Sequence, residues 1–148
     1  MRQQEFLALL IFSTLFAVRR GGRPEKIGAI ALFAGALISF LVVRPQGLRF
    51  RHIETGIFMT DIALLGIFLW LTFRSTRFWP IWISGLLGAE TLVHLGLIVA
   101  PQIHWEAYLD ATALWSWLIQ LMLVIGTWRH QVRLMQNGRD PPWRSDIN

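Results

Sequence analysis

The chain contains no cysteine, which excludes disulfides, thiolate metal sites and cysteine nucleophiles and carries nothing about compartment. Charge is scarce too. Only 16% of the 148 residues are Asp, Glu, Lys or Arg, against about 25% in an average soluble domain. Lysine is nearly missing: Lys26 is the single example among 14 basic residues. A nucleic-acid face needs Lys and Arg gathered on one surface among polar or aromatic neighbours. Here the arginines flank apolar runs, so the net charge of +5 is no nucleic-acid signal. No internal repeat is present, which leaves an inverted-repeat transporter unsupported. Gly21-Gly22 has neither the flanking strand nor the Gly-Lys-Ser/Thr ending of a phosphate loop.

What the chain does have is five apolar segments: Phe6–Val18, Ile27–Val43, Thr55–Phe73, Phe78–Ala100 and Ala107–Trp128. A helix of a soluble protein keeps one polar face. These segments are apolar all round, as lipid permits. About 17 to 25 residues span the hydrocarbon, and the second to fifth segments match this at 17, 19, 23 and 22 residues. The first has 13, and Gln3, Gln4 and Glu5 extend it by a turn. Its start resembles a secretory signal, with Arg2 before an apolar run. However, Leu15 occupies the position two before Ala17, where cleavage needs a small residue. The expectation is an all-α integral membrane bundle of five transmembrane helices, with four after removal of the first as the alternative. The helices fall at about 4–18, 27–43, 55–73, 78–100 and 107–137. They form one domain over 1–138, followed by a cytoplasmic tail at 139–148.

Lys and Arg in short loops favour the cytoplasm. With the amino end outside, ten basic residues fall on the cytoplasmic side and four on the other. Trp70, Trp79, Trp82 and Trp128 then mark the inner boundary and Trp105 the outer one, as an aromatic belt does. Pro80 belongs in the first turn of the fourth helix, Pro101 stops that helix, and Asn137-Gly138 stops the fifth. Asp140-Pro141-Pro142 then makes an extended tail.

An ionisable side chain within lipid is expensive and therefore a functional candidate. Asp61, Glu90 and His94 qualify. Asp61 and His94 each lie six residues from the outer end of their helices, so both sit about 9 Å below the outer boundary at 1.5 Å per residue. Glu90 is one turn deeper on the face of His94, Asp110 enters near the same level, and His104 and Glu106 sit just above on the outer side. Three uses compete. The polar residues pair with each other, or with Thr60 and Thr91, to fasten helices; they form a proton or ion path; or they hold a metal or haem. One intramembrane histidine without a repeated Glu-x-x-His spacing makes the third thin, and neither a metal nor a cofactor is expected. Gln120 reads as interhelical glue. Ser84 with Gly88, Gly85 with Ala89, and Ala31 with Gly35 give the small-xxx-small spacing that lets helices approach closely.

Arg-Gly-Gly-Arg-Pro-Glu-Lys after the first segment, Glu54-Thr55-Gly56 with Asp61, Arg77-Phe78-Trp79-Pro80-Ile81-Trp82, His94-Leu95 and Gly126-Thr127-Trp128-Arg129 form a further pattern. It resembles uncharacterised small multi-spanning inner-membrane proteins of alphaproteobacteria and covers most of the chain. The resemblance implies a multi-pass protein of the bacterial inner membrane, with Asp61, the Phe-Trp-Pro-x-Trp element and His94 in the pattern. It transfers no reaction, substrate or cofactor. The expected function is a non-enzymatic accessory or scaffold component. Its partners are the lipid bilayer and another membrane protein or a second copy, with no nucleic acid. The alternative is a small proton- or ion-coupled transporter or channel using Asp61, Glu90 and His94. An enzyme ranks last, because no nucleophile–base pair is evident.

Overall fold

The computed structural model describes residues 2–42, 55–100 and 105–144. Five helices follow one another: α1 (Arg2–Arg20), α2 (Arg23–Val42), α3 (Thr55–Arg74), α4 (Trp79–Val99) and α5 (Trp105–Asn137). No strand occurs among the described residues. Among the described residues, two helices are long and apolar enough to cross a membrane, α2 and the Gly56–Arg74 part of α3.

The punctuation explains the boundaries. Gly21 and Gly22 disfavour continuation of α1, and the Gly21 N–H closes the helix on the Ala17 carbonyl at 2.8 Å. Pro24 and Pro80 lie in first turns, where a missing N–H costs nothing. Ala100 leaves the helical region at φ −132°, as a residue preceding proline does. Gly138 ends α5 at φ 69°, the left-handed conformation that a helix C-terminus assigns to glycine. α1 begins four residues before its first apolar residue, Phe6, because Gln and Glu are good helix formers.

The helices pack in chain order, α1 on α2, α2 on α3, α3 on α4 and α4 on α5. α5 then returns to α1 and also touches α2, so the ring closes. Its interior holds Phe68 and Leu71 of α3, Trp79, Ile83 and Leu87 of α4, and Ile119 and Leu123 of α5. Large apolar side chains are exposed on all five helices. Leu41, Phe73, Leu92 and Val99 are 68–85% exposed, while Ser13, Glu25, Asp61, Arg77 and His94 are buried. Polar residues also tie helices together inside. The Ser13 hydroxyl donates to Gln120 Oε1 at 2.5 Å between α1 and α5, which makes Gln120 the interhelical link expected of it. Thr72 and Ser84 join α3 to α4 at 3.3 Å.

One aromatic expectation is corrected. Trp70, Trp82 and Trp128 lie on the surface, but Trp79 is fully buried. The reason is local. Gly28 of α2 and Gly126 of α5 leave the space its indole fills, and Phe68 meets the ring edge-on at 6.0 Å.

Candidate functional site

Buried charge gathers in two places. The first is the cluster predicted between α3 and α4. His94 Nε2 lies 2.9 Å from Asp61 Oδ2, a close contact outside the alignment of a hydrogen bond. Phe58 packs edge-on against the imidazole at 5.9 Å. Glu90 is buried on the same helix one turn from His94 and lies within electrostatic reach of Asp61. Thr60 and Thr91 take no part: their hydroxyls donate to the Gly56 and Leu87 carbonyls of their own helices, both at 2.8 Å. Asp61, Glu90 and His94 are thus brought together. Glu106 and Asp110 fall in the first two turns of α5, and His104 lies outside the described residues. No three His, Asp or Glu side chains among the described residues are grouped to hold a metal ion.

The second place was not predicted. At the end where the α1–α2 turn, the α3–α4 loop and the carboxyl-terminal segment meet, Arg77 is buried among three other ionisable groups. Its Nε faces Glu25 Oε1 at 3.0 Å, its Nη1 donates to Asp140 Oδ2 at 2.5 Å, and its Nη2 lies 3.2 Å from His130 Nδ1. The indole N–H of Trp79 donates to the same Glu25 Oε1 at 3.1 Å. Asp140 also accepts from Arg133 Nε at 3.1 and 3.0 Å and lies 2.7 Å from His130 Nδ1. Glu25 belongs to the first turn of α2, so its negative charge also faces a helix N-terminus, where it is favoured. The Gln131 side-chain amide adds a link by donating to the Arg20 carbonyl.

Residues 139–144 follow Gly138 outside any helix and lie against the α3–α4 loop. The Thr76 N–H donates to the Pro142 carbonyl at 3.2 Å, the Thr76 hydroxyl to Pro141 at 2.8 Å, and the Arg144 N–H to Arg74 at 3.0 Å. Ser75 and Trp143 form an antiparallel bridge, and Trp143 packs on Trp70 with ring centroids 5.7 Å apart. Residues 139–144 therefore strap the α3–α4 loop, with Asp140 as the buckle.

Burial alone would push the Asp140 carboxyl up. Hydrogen bonds from Arg77, His130 and Arg133 and the Arg77 charge outweigh it, holding the group below its ordinary 3.8. A depressed folded-state value adds stability above the ordinary aspartate range, and this is lost as pH falls through the folded value. The strap is therefore expected to loosen below about pH 4. Limited proteolysis of the tail between pH 6 and pH 3 measures this, and Asp140→Asn should be cleaved equally across that range. A wild type whose cleavage does not change with pH more than that of the variant would contradict the assignment.

Comparison with protein families, with curated proteins and with solved structures returned no match. Two features define the chain: an all-α bundle with an apolar exterior, and buried charge both between two helices and at one end.

Proposed function

We propose that the chain is a five-span protein of the bacterial inner membrane, of the alphaproteobacterial kind its sequence resembles, with the amino end outside and the carboxyl end in the cytoplasm. Its role is that of a non-enzymatic accessory or scaffold component that associates through its helices. Exposed large apolar residues on all five helices support the membrane reading. Orientation rests on the arginine distribution.

The observation that carries the scaffold role is the outer face of α4. Gly28, Gly35 and Gly126 are filled by Trp79 or Leu64 of this same chain. At Gly85, Gly88 and Gly96 an added Cβ would meet nothing within 4 Å. Gly85 is exposed and Ala89 lies one turn on, on the same side of the helix. Small residues serve in membrane helices where backbones approach closely, and no neighbour among the described residues fills the space at these. Because the protein lacks cysteine, Gly85→Cys is a clean probe. Oxidation in native membranes should yield a disulfide-linked dimer of Gly85→Cys and leave Phe33→Cys on α2 monomeric. If both variants stay monomeric, or both crosslink equally, α4 is not an association face.

The burial of Asp61, Glu90 and His94 together favours a second reading, a small proton- or ion-coupled transporter or channel. Asp61 lies against the imidazole at 2.9 Å, and the buried Glu90 is within electrostatic reach of Asp61. Thiol labelling of Asp61→Cys from the outer side separates the two readings. Labelling means a hydrated path and transport, whereas protection in a folded variant means a dry pair that fastens α3 to α4.

A further inference from the structure

Between α2 and α3 the outer surface carries an open apolar groove of about 690 Å³. Ile27, Ile30 and Ala31 line it from α2, and Ala63, Gly66 and Trp70 from α3. Its depth comes from small side chains: an added Cβ at Gly66 would meet nothing within 4 Å. From Ala63 to Trp70 the groove runs about 10 Å along the helix at 1.5 Å per residue, the scale of a good part of an acyl chain.

The residues at one mouth of this groove are cationic. Arg23 lies four residues before Ile27, Lys26 four before Ile30, and Arg74 four after Trp70, so helical periodicity stacks all three on the lining face one turn further out. All three are exposed, and none forms an ion pair with a described carboxylate. The two described carboxylates at this end, Glu25 and Asp140, are already engaged by Arg77 and Arg133. Trp70 lies at the mouth with its indole half exposed, as a headgroup-level residue does.

We infer that the groove is a binding site for an anionic phospholipid, with an acyl chain along Ile30, Ala63 and Gly66 and the phosphate among Arg23, Lys26 and Arg74. The inference rests on the membrane reading above. Charge complementarity selects this occupant. A partner helix that filled an apolar groove would gain nothing from three cations at its rim, while an anionic headgroup gains from each. Near an anionic surface every Lys or Arg contributes about 1 kcal/mol, roughly a fivefold preference.

Native mass spectrometry of the detergent-solubilised full chain tests this by titration with phosphatidylglycerol or phosphatidylcholine. The wild type should prefer phosphatidylglycerol by roughly tenfold or more. Arg23→Gln/Lys26→Gln/Arg74→Gln should retain lipid but lose the preference. Gly66→Leu, which enters open space and leaves the core alone, should lose the most tightly held lipid of either kind. Circular dichroism confirms that the variants fold. Equal retention of the two lipids by the wild type overturns the proposal, as does unchanged binding by Gly66→Leu. So does a second copy or a protein partner that occupies the groove and excludes lipid. Carbonate extraction of the expressing cells keeps the two levels apart. A chain released from the membranes defeats the membrane reading itself, whereas a chain retained without lipid preference defeats only the groove assignment.

Discussion

Arg77→Met is expected to destabilise the protein by about 3–5 kcal/mol, the cost of removing one partner from a buried ion pair. The guanidinium separates Glu25 from Asp140 and contacts both, and its own side chain is almost wholly buried. Without it, Asp140 keeps Arg133 and His130 as partners, and the buried Glu25 keeps the Trp79 N–H. Arg77→Lys should recover little, because an ammonium cannot reproduce a planar fork directed at several partners. Removing the charges together is a different case: Arg77→Met/Glu25→Gln/Asp140→Asn should regain much of the loss, since no uncompensated charge stays buried. Thermal unfolding in detergent, followed by tryptophan fluorescence, measures the series. An Arg77→Met protein that melts with the wild type would show that the network holds nothing together.

Trp79→Ala should be similarly severe, at about 3–5 kcal/mol for truncating a buried tryptophan. The indole fills the space between Gly28 and Gly126, meets Phe68 edge-on, and donates to Glu25. It therefore joins the apolar core to the charged end. The converse change tests the same fit from the other side. A Cβ at position 126 would collide with the indole, so Gly126→Ala is expected to cost about 1–3 kcal/mol by overpacking. Trp79→Phe in the Gly126→Ala background should offset part of that cost, because the smaller ring makes room. The same melts decide it. Additive losses in the double variant would mean that the two positions do not share a cavity.

The helices were legible because their signals are local: apolar runs set their extent, and glycine and proline set their ends. Asp61 and His94 were legible for a related reason. Each could be assigned a depth by counting from a helix end, and equal depths on consecutive helices meet. The charged end escaped because nothing local marks it. Arg77 has the same residue type and boundary position as Arg74 and Arg129, both of which are exposed, and boundary arginines read as topology determinants. Its partners lie in two other helices and the tail, and Trp79 is buried through glycines supplied by α2 and α5. One clue was available. Glu25 is the sole carboxylate between the first two segments, and Asp140 opens the stretch after the last helix stop. Acids set beside arginines in this way call for partners.

The strap also places an order on biosynthesis. Asp140 follows Arg77 by 63 residues, and at 5–20 residues per second a ribosome needs roughly 3–13 s to cover that interval. Throughout it the guanidinium has Glu25 but lacks Asp140, and the α3–α4 loop lacks its backbone acceptors at Pro141 and Pro142. The last lock therefore closes only after residues 140–142 have been made. A translation product stalled before residue 140 leaves Arg77 without Asp140 and the Thr76 N–H and hydroxyl without the carbonyls that accept from them.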